Sequence, residues 1–226
     1  MISAPFLSHF GCYALKPSFW ALPAEERDAT GSALEAALRE AGEAVHLYGT
    51  FATRPDADLL AWSSVGAASP EAAHDFFTGL EAALRPFRHH LRLVDALWGF
   101  TRASQYARGE SDRRIDPTGP RTSPYLVVYP FAKTQPWYRL DVEERRRMMS
   151  EHIRIGHAYA QVHQLLLYAT GLQDHEFVVV YETPDLADFS ALVTDLRATE
   201  ARAYTRLDSP VRVGFHRPEG AGPGWR

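Results

Sequence analysis

The sequence predicts an α+β fold built from two ferredoxin-like halves, each βαββαβ with two helices packed on one face of an antiparallel sheet. Three observations predict it. Leu22-Pro-Ala-Glu-Glu-Arg27 recurs as Leu140-Asp-Val-Glu-Glu-Arg145. Asp56-Ala-Asp-Leu-Leu-Ala-Trp62 matches Asp174-His-Glu-Phe-Val-Val-Val180 at the same 118-residue offset, and Ser69-Pro-Glu then matches Thr183-Pro-Asp, each opening a helix that carries Phe76 or Phe189. The elements also follow one another in the same order in both halves, which makes duplication the simplest account of the repeats.

In the first half, strands fall near 9–15, 44–52, 57–65 and 90–101, with helices near 23–41 and 70–86. In the second, strands fall near 125–130, 162–169, 176–182 and 209–216, with helices near 141–160 and 185–203. The strand from Tyr125 is β-branched and aromatic and is expected to break at Pro130, leaving Lys133 and Trp137 in a loop. Asp141 is the expected cap of the next helix, with Glu144 three residues on in a capping-box arrangement. Residues 103–124 carry no periodicity and read as a linker, and the Gly- and Pro-rich tail 217–226 reads as frayed. The expected division is therefore 1–102, 103–124, 125–216 and 217–226.

Composition bounds the function. With 226 residues, 46% of them hydrophobic, and a formal charge of −4, nothing electrostatic points to nucleic acid or an anionic membrane surface as partner. No run approaches the ~18 apolar residues that span a bilayer, and the first residues lack a signal peptide's basic and apolar regions, so a cytoplasmic location is expected. Cys12 is the single cysteine. It excludes an internal disulfide framework, a Cys-rich zinc site and a Cys-x-x-Cys-His haem attachment. Any metal or cofactor must be held by histidine and carboxylate.

Two polar residues interrupt the apolar patterns. The helix from Asp141 has a stripe of Met148, His152, Ile155 and Tyr159, with a histidine where the period asks for leucine. The helix from Asp185 carries Leu186, Phe189, Val193 and Leu196 on one face, and continuing that face by four residues reaches Glu200. A carboxylate on a buried stripe is costly unless paired. A metal-bound histidine commonly donates its other ring N–H to a carboxylate. His152 and Glu200 are thus either a metal ligand and its hydrogen-bonding partner or a structural pair, and spacing does not choose between them. At the repeat offset His152 falls on Leu34, and Glu200 falls near Pro86 or Phe87, so both anomalies belong to the second half.

With these residues in view, positions 125–214 resemble the chlorite dismutase family, and within it the coproheme decarboxylases. The resemblance is carried by Tyr129-Pro-x-x-Lys133, Trp137-Tyr138, Glu143-Glu144-Arg145, Glu151-His152, Tyr159, Gly171-Leu-x-Asp174, Glu176-Phe177 and Arg-x-Thr-Glu200-Ala-Arg. It implies that the two sheets form a barrel with the helices outside, and that the chain assembles as a homo-oligomer, a pentamer. It implies an iron porphyrin, coproheme or haem b, whose iron is coordinated by one protein histidine, His152, with Glu200 hydrogen-bonded to that imidazole. Tyr129 matches the tyrosine that becomes a radical and takes a hydrogen atom from a propionate, Lys133 the lysine beside that propionate, and Trp137 a pocket wall.

Gln164 stands where the resemblance places an arginine in chlorite dismutases; a guanidinium suits an anionic oxychlorine species and a neutral amide does not. His163 is then expected on the opposite, surface or interface side of its strand. Gln173 replaces an acidic residue of the Gly-Leu-x-Asp turn, expected to be without consequence. The implied activity is conversion of iron coproporphyrin III to haem b with hydrogen peroxide. Two alternatives stay open: a haem b-dependent peroxidase or chlorite dismutase-like enzyme, and a haem-handling protein without turnover.

Overall fold

The computed structural model describes residues 5–104, 106 and 112–218. In chain order it contains β1 (Phe6–Leu15), α1 (Pro17–Trp20), α2 (Ala24–Arg39), β2 (Ala44–Gly49), β3 (Leu59–Gly66), α3 (Ala72–Leu84) and β4 (Leu91–Thr101). There follow β5 (Tyr125–Lys133), α4 (Gln135–Arg139), α5 (Val142–His157), β6 (His163–Tyr168), β7 (Phe177–Thr183), α6 (Leu186–Arg197), β8 (Thr205–Leu207) and β9 (Arg212–Arg217). Every expected strand and helix is present. The short elements α1, α4 and β8 are additions, and α6 ends at Arg197, six residues before the expected stop at 203.

Strand order in the first half is β4-β1-β3-β2, and in the second β6-β7-β5-β9, the same ferredoxin-like order in each. All these pairings are antiparallel. The halves join twice, through Phe100↔Tyr168 and Thr101↔Leu167 between β4 and β6, and through Leu47↔Arg217 to Gly49↔Phe215 between β2 and β9. Eight strands thereby close into a ring, which leaves none of them with an unpaired edge along its whole length.

Alternation along each strand then sorts the side chains. Leu126, Val128, Leu165, Leu167, Val178 and Val180 meet Phe10, Tyr48, Leu60 and Trp62 inside the ring. Val127, Tyr129, Val179 and Tyr181 face outward, under Ile155 and Tyr159 of α5 and Phe189 and Leu192 of α6. The equivalent face of the first half packs Leu34 and Leu38 against Leu7, Leu47 and Leu59.

β5 does not break at Pro130 but runs on to Lys133. Its ladder to β9 ends at Val128↔Arg212, and its ladder to β8 begins at Ala132↔Leu207. Pro130 sits in the gap between them, where a missing N–H costs nothing. The predicted cap forms, with Asp141 Oδ1 accepting from the Glu144 N–H at 2.8 Å.

The segment 112–124 does more than connect. Ile115 enters the core inside the ring, and the backbone on either side of Arg114 pairs with Gln164, through Ile115 N–H to Gln164 O at 3.0 Å and Gln164 N–H to Arg113 O at 2.9 Å. Arg121, with 1% of its side chain exposed, reaches Glu182 at 3.3 Å and stacks 4.6 Å from the centre of the Trp62 ring. Tyr48 donates to the same carboxylate at 3.4 Å. Gln173 is not idle either: its Oε1 accepts from the Trp98 N–H at 2.9 Å and its Nε2 donates to Ala96 O at 2.7 Å. One amide thus extends β4 where a carboxylate, which only accepts, could make half the pair. Of the expected linker, residues 105 and 107–111 lie outside the described residues, as does the tail from 219.

Candidate active site

The outward face of β5 carries the tyrosine and lysine, two pleats apart. Tyr129 packs beside Tyr181, ring centroids 6.3 Å apart, and burial, with Tyr181 adding to it, raises its phenol well above the ordinary value. The hydroxyl therefore keeps its hydrogen at neutral pH. Lys133 and Trp137 are not in a loop. Lys133 ends β5, and Thr134 followed by Pro136 starts α4, which buries Trp137 to 4% exposure. The Lys133 ammonium lies 4.4 Å from the centre of the Trp137 ring and donates to Ala201 O at 2.9 Å. Burial, reinforced by Arg202 and partly offset by Glu176, lowers its pKa to about 8.

His152 lies on α5, whose stripe begins with the buried Met148, and is close enough to Lys133 for the two charges to interact. Burial, then Lys133, push the imidazole down to about 4, with Glu151 opposing. The ring is neutral at pH 7, and among the described residues it makes no hydrogen bond, so it retains a lone pair for a metal.

Glu200 departs from expectation. Because α6 ends at Arg197, the apolar stripe does not continue to it. Thr199 takes the inward place, its hydroxyl on Leu196 O at 2.7 Å, and Glu200 opens a short 3-10 turn with 55% of its side chain exposed. Its carboxylate holds Arg147 at 2.9 and 2.5 Å, and that guanidinium keeps its pKa below the usual carboxylate range. Glu200 and His152 are not paired in this structure.

Gln164 shares the outward face with Tyr129 but is not brought to it. Its neighbour across β7 is Tyr181, and Tyr129 lies two strands away and two residues along, about 12 Å by strand spacing. His163, expected at a surface or interface, alternates with Gln164 onto the side of Leu165 and Leu167 and is half-buried. Two residues that sequence reasoning passed over border Lys133. Arg202, bound to Asp208 at 2.6 Å, is a second cation beside Tyr129 and Lys133. Glu176 accepts the Lys133 N–H at 2.7 Å and the Tyr138 hydroxyl at 2.6 Å. The signal for both was their place inside the quoted motifs.

A neutral, unbonded imidazole beside a cation and an indole suits an iron porphyrin, whose metal needs a lone pair and whose carboxylates need positive charge. The donor set therefore fits the group, Glu200 excepted. Ring closure from two ferredoxin-like halves defines a duplicated α+β barrel protein. The chain belongs to the chlorite dismutase family, whose model matches residues 19–217.

Curated relatives include the coproheme decarboxylase of Mycolicibacterium smegmatis, 32% identical over 174 residues, 74% of this chain and 71% of that one. Another is the coproheme decarboxylase of Staphylococcus carnosus, 31% identical over 131 residues, 51% of this chain and 52% of the relative. Among solved structures, a mutant chlorite dismutase from Candidatus Nitrospira defluvii superposes with a TM-score of 0.81 at 24% identity, covering 94% of this chain and 91% of that one. The protein called putative chlorite dismutase TA0507 gives 0.79 at 23% identity, with 96% of each chain covered. These structural likenesses speak for the fold. No helix among the described residues is long and apolar enough to cross a membrane.

Proposed function

We propose that the protein is a peroxide-dependent coproheme decarboxylase, acting on iron coproporphyrin III and releasing haem b. The observation that carries the proposal is the shared outward face of Tyr129 and Lys133, with Lys133 held over Trp137 and within electrostatic reach of His152. Names of the curated relatives support it.

His152 would hold the iron, and the bound porphyrin with hydrogen peroxide supplies the oxidising power. Tyr129 keeps a phenolic hydrogen in a dry setting; oxidised to the neutral radical, it can take a hydrogen atom from the carbon next to the ring and become phenol again. Lys133 and Arg202 offer positive charge to orient the carboxylate, and Lys133, with a pKa of about 8, can also hold or release a proton near neutrality. Per propionic acid group, one peroxide is consumed, and a vinyl group, one carbon dioxide and two waters result. The first half, residues 1–102, carries no cofactor in this scheme. A homo-oligomer, five copies by family resemblance, and a cytoplasmic location complete it.

Pairing of Glu200 with Arg147 instead of His152 favours a second reading, a haem b peroxidase or haem-handling protein, because an imidazole without an anionic partner pushes less electron density to iron. The experiment is to add iron coproporphyrin III to the purified protein, titrate hydrogen peroxide and follow the porphyrin by mass spectrometry. Stepwise loss of two carboxyl groups through a three-propionate intermediate is expected. Tight binding and peroxide consumption with all four propionates retained would overturn the decarboxylase in favour of the second reading. In the same assay Gln164→Arg raises chlorite turnover if the chlorite branch is within reach of this scaffold.

A further inference from the structure

We infer that Glu176 is the positioning residue for Lys133, fixing where its ammonium sits over the Trp137 indole; the inference rests on the decarboxylase proposal for what Lys133 does. β5 leaves its ladder with β7 at Phe131↔Phe177, and its register slips between Ala132 and Lys133 where β8 takes over. β8 pairs Lys133 with Thr205, but on the β7 side the Lys133 N–H has no ladder partner. Glu176 Oε2 meets it instead, at 2.7 Å, and the same oxygen accepts the Tyr138 hydroxyl at 2.6 Å. Two short bonds to one carboxylate oxygen tie the end of β5 to α4, so Lys133 and the indole of Trp137 are set by one group.

Glu176 is itself held at three points. Its N–H donates to Phe131 O at 3.2 Å, and its carbonyl accepts from Ala169 N–H at 2.8 Å and Thr170 Oγ1 at 3.1 Å. It is therefore built into the β6–β7 turn and cannot follow the strand end if that end loosens.

The chain offers a clean probe, because Lys16 and Lys133 are its only lysines. In protein labelled with ¹³C-lysine and free of porphyrin, Lys133 gives one of two side-chain signal sets, shifted upfield by the Trp137 ring, with Lys16 as the internal control. Glu176→Ala removes both bonds to the carboxylate, and its Lys133 ring-current shift is expected to shrink; Glu176→Gln keeps an oxygen acceptor and is expected to hold the shift. Tyr138→Phe keeps the charge and removes one arm; its ring-current shift is expected to shrink. A wild-type ring-current shift in both Glu176→Ala and Tyr138→Phe would overturn the inference.

With substrate bound, Glu176→Ala is expected to lower the decarboxylation rate by about a hundredfold, the usual cost of misplacing a reacting group by an ångström, with porphyrin affinity little changed. The two proposals fail separately. If Lys133 responds as expected while wild-type protein leaves propionates intact, the decarboxylase falls and the positioning role stands.

Discussion

Glu200 grips Arg147 through both carboxylate oxygens, at 2.9 and 2.5 Å, five residues along α5 from the histidine it was expected to serve. Both side chains are more than half exposed, so the pair steers Glu200 without adding much stability. Arg147→Met is expected to return the Glu200 carboxyl to the ordinary range, read by carboxyl ¹³C shifts against pH in porphyrin-free protein. An unchanged Glu200 midpoint would mean that the pair does not form in solution.

Tyr129 and His152 separate chemistry from binding. Tyr129→Phe should abolish decarboxylation and leave the porphyrin spectrum in place, since the ring stays and only the phenolic hydrogen is lost. His152→Ala should weaken iron porphyrin binding on the order of a hundredfold, equivalent to about 2.7 kcal/mol. Full turnover in the first variant removes the radical role; an unaltered Soret band in the second removes the iron ligand.

Gln173→Glu tests a contact that the sequence did not flag. The substitution deletes the donor to Ala96 O and sets a carboxylate against that carbonyl, while the bond from Trp98 N–H can persist. A buried acceptor left without its partner costs about 1–3 kcal/mol, measurable as a lower urea midpoint at constant m. A midpoint equal to wild type would show the pairing to be dispensable.

Acid should destabilise the protein through its buried histidines. Burial lowers the pKa of His9, His46 and His152 from 6.5 to about 4. Their folded values lie below the unfolded one, so between pH 6.5 and 4 the unfolded chain binds more protons. Their contribution is complete above pH 6.5 and is lost as pH falls toward 4. For His9 and His152 this is on the order of 3 kcal/mol each. Thermal unfolding followed across that window should show a falling midpoint, with a shallower slope in His9→Gln. A midpoint flat from pH 7 to 4 would contradict the neutral, buried state of these rings.

Periodicity and the 118-residue repeat carried most of the architecture, because strands and helices register their own buried faces in the spacing of apolar residues. Leu34 in place of His152 shows how far this goes: one half keeps the apolar residue, the other substitutes a polar one, and the contrast is visible without coordinates. The same logic failed at Glu200. It assumed that α6 continued to 203, and helix ends depend on what the following turn can bond, which spacing does not encode.

Sequence by itself determined two ferredoxin-like halves, the face of α5 that carries His152, and the tyrosine and lysine flanking Pro130. Tertiary structure alone decided that β5 passes through Pro130, since that depends on where β9 stops and β8 begins. It also decided that the expected linker buries Ile115 and Arg121 in the ring, that Glu200 pairs with Arg147, and that Glu176 meets the end of β5. Each of these is a pairing of groups far apart in the chain. Local patterns fix which side of an element is buried, whereas the partner of a polar group is chosen only when the elements meet.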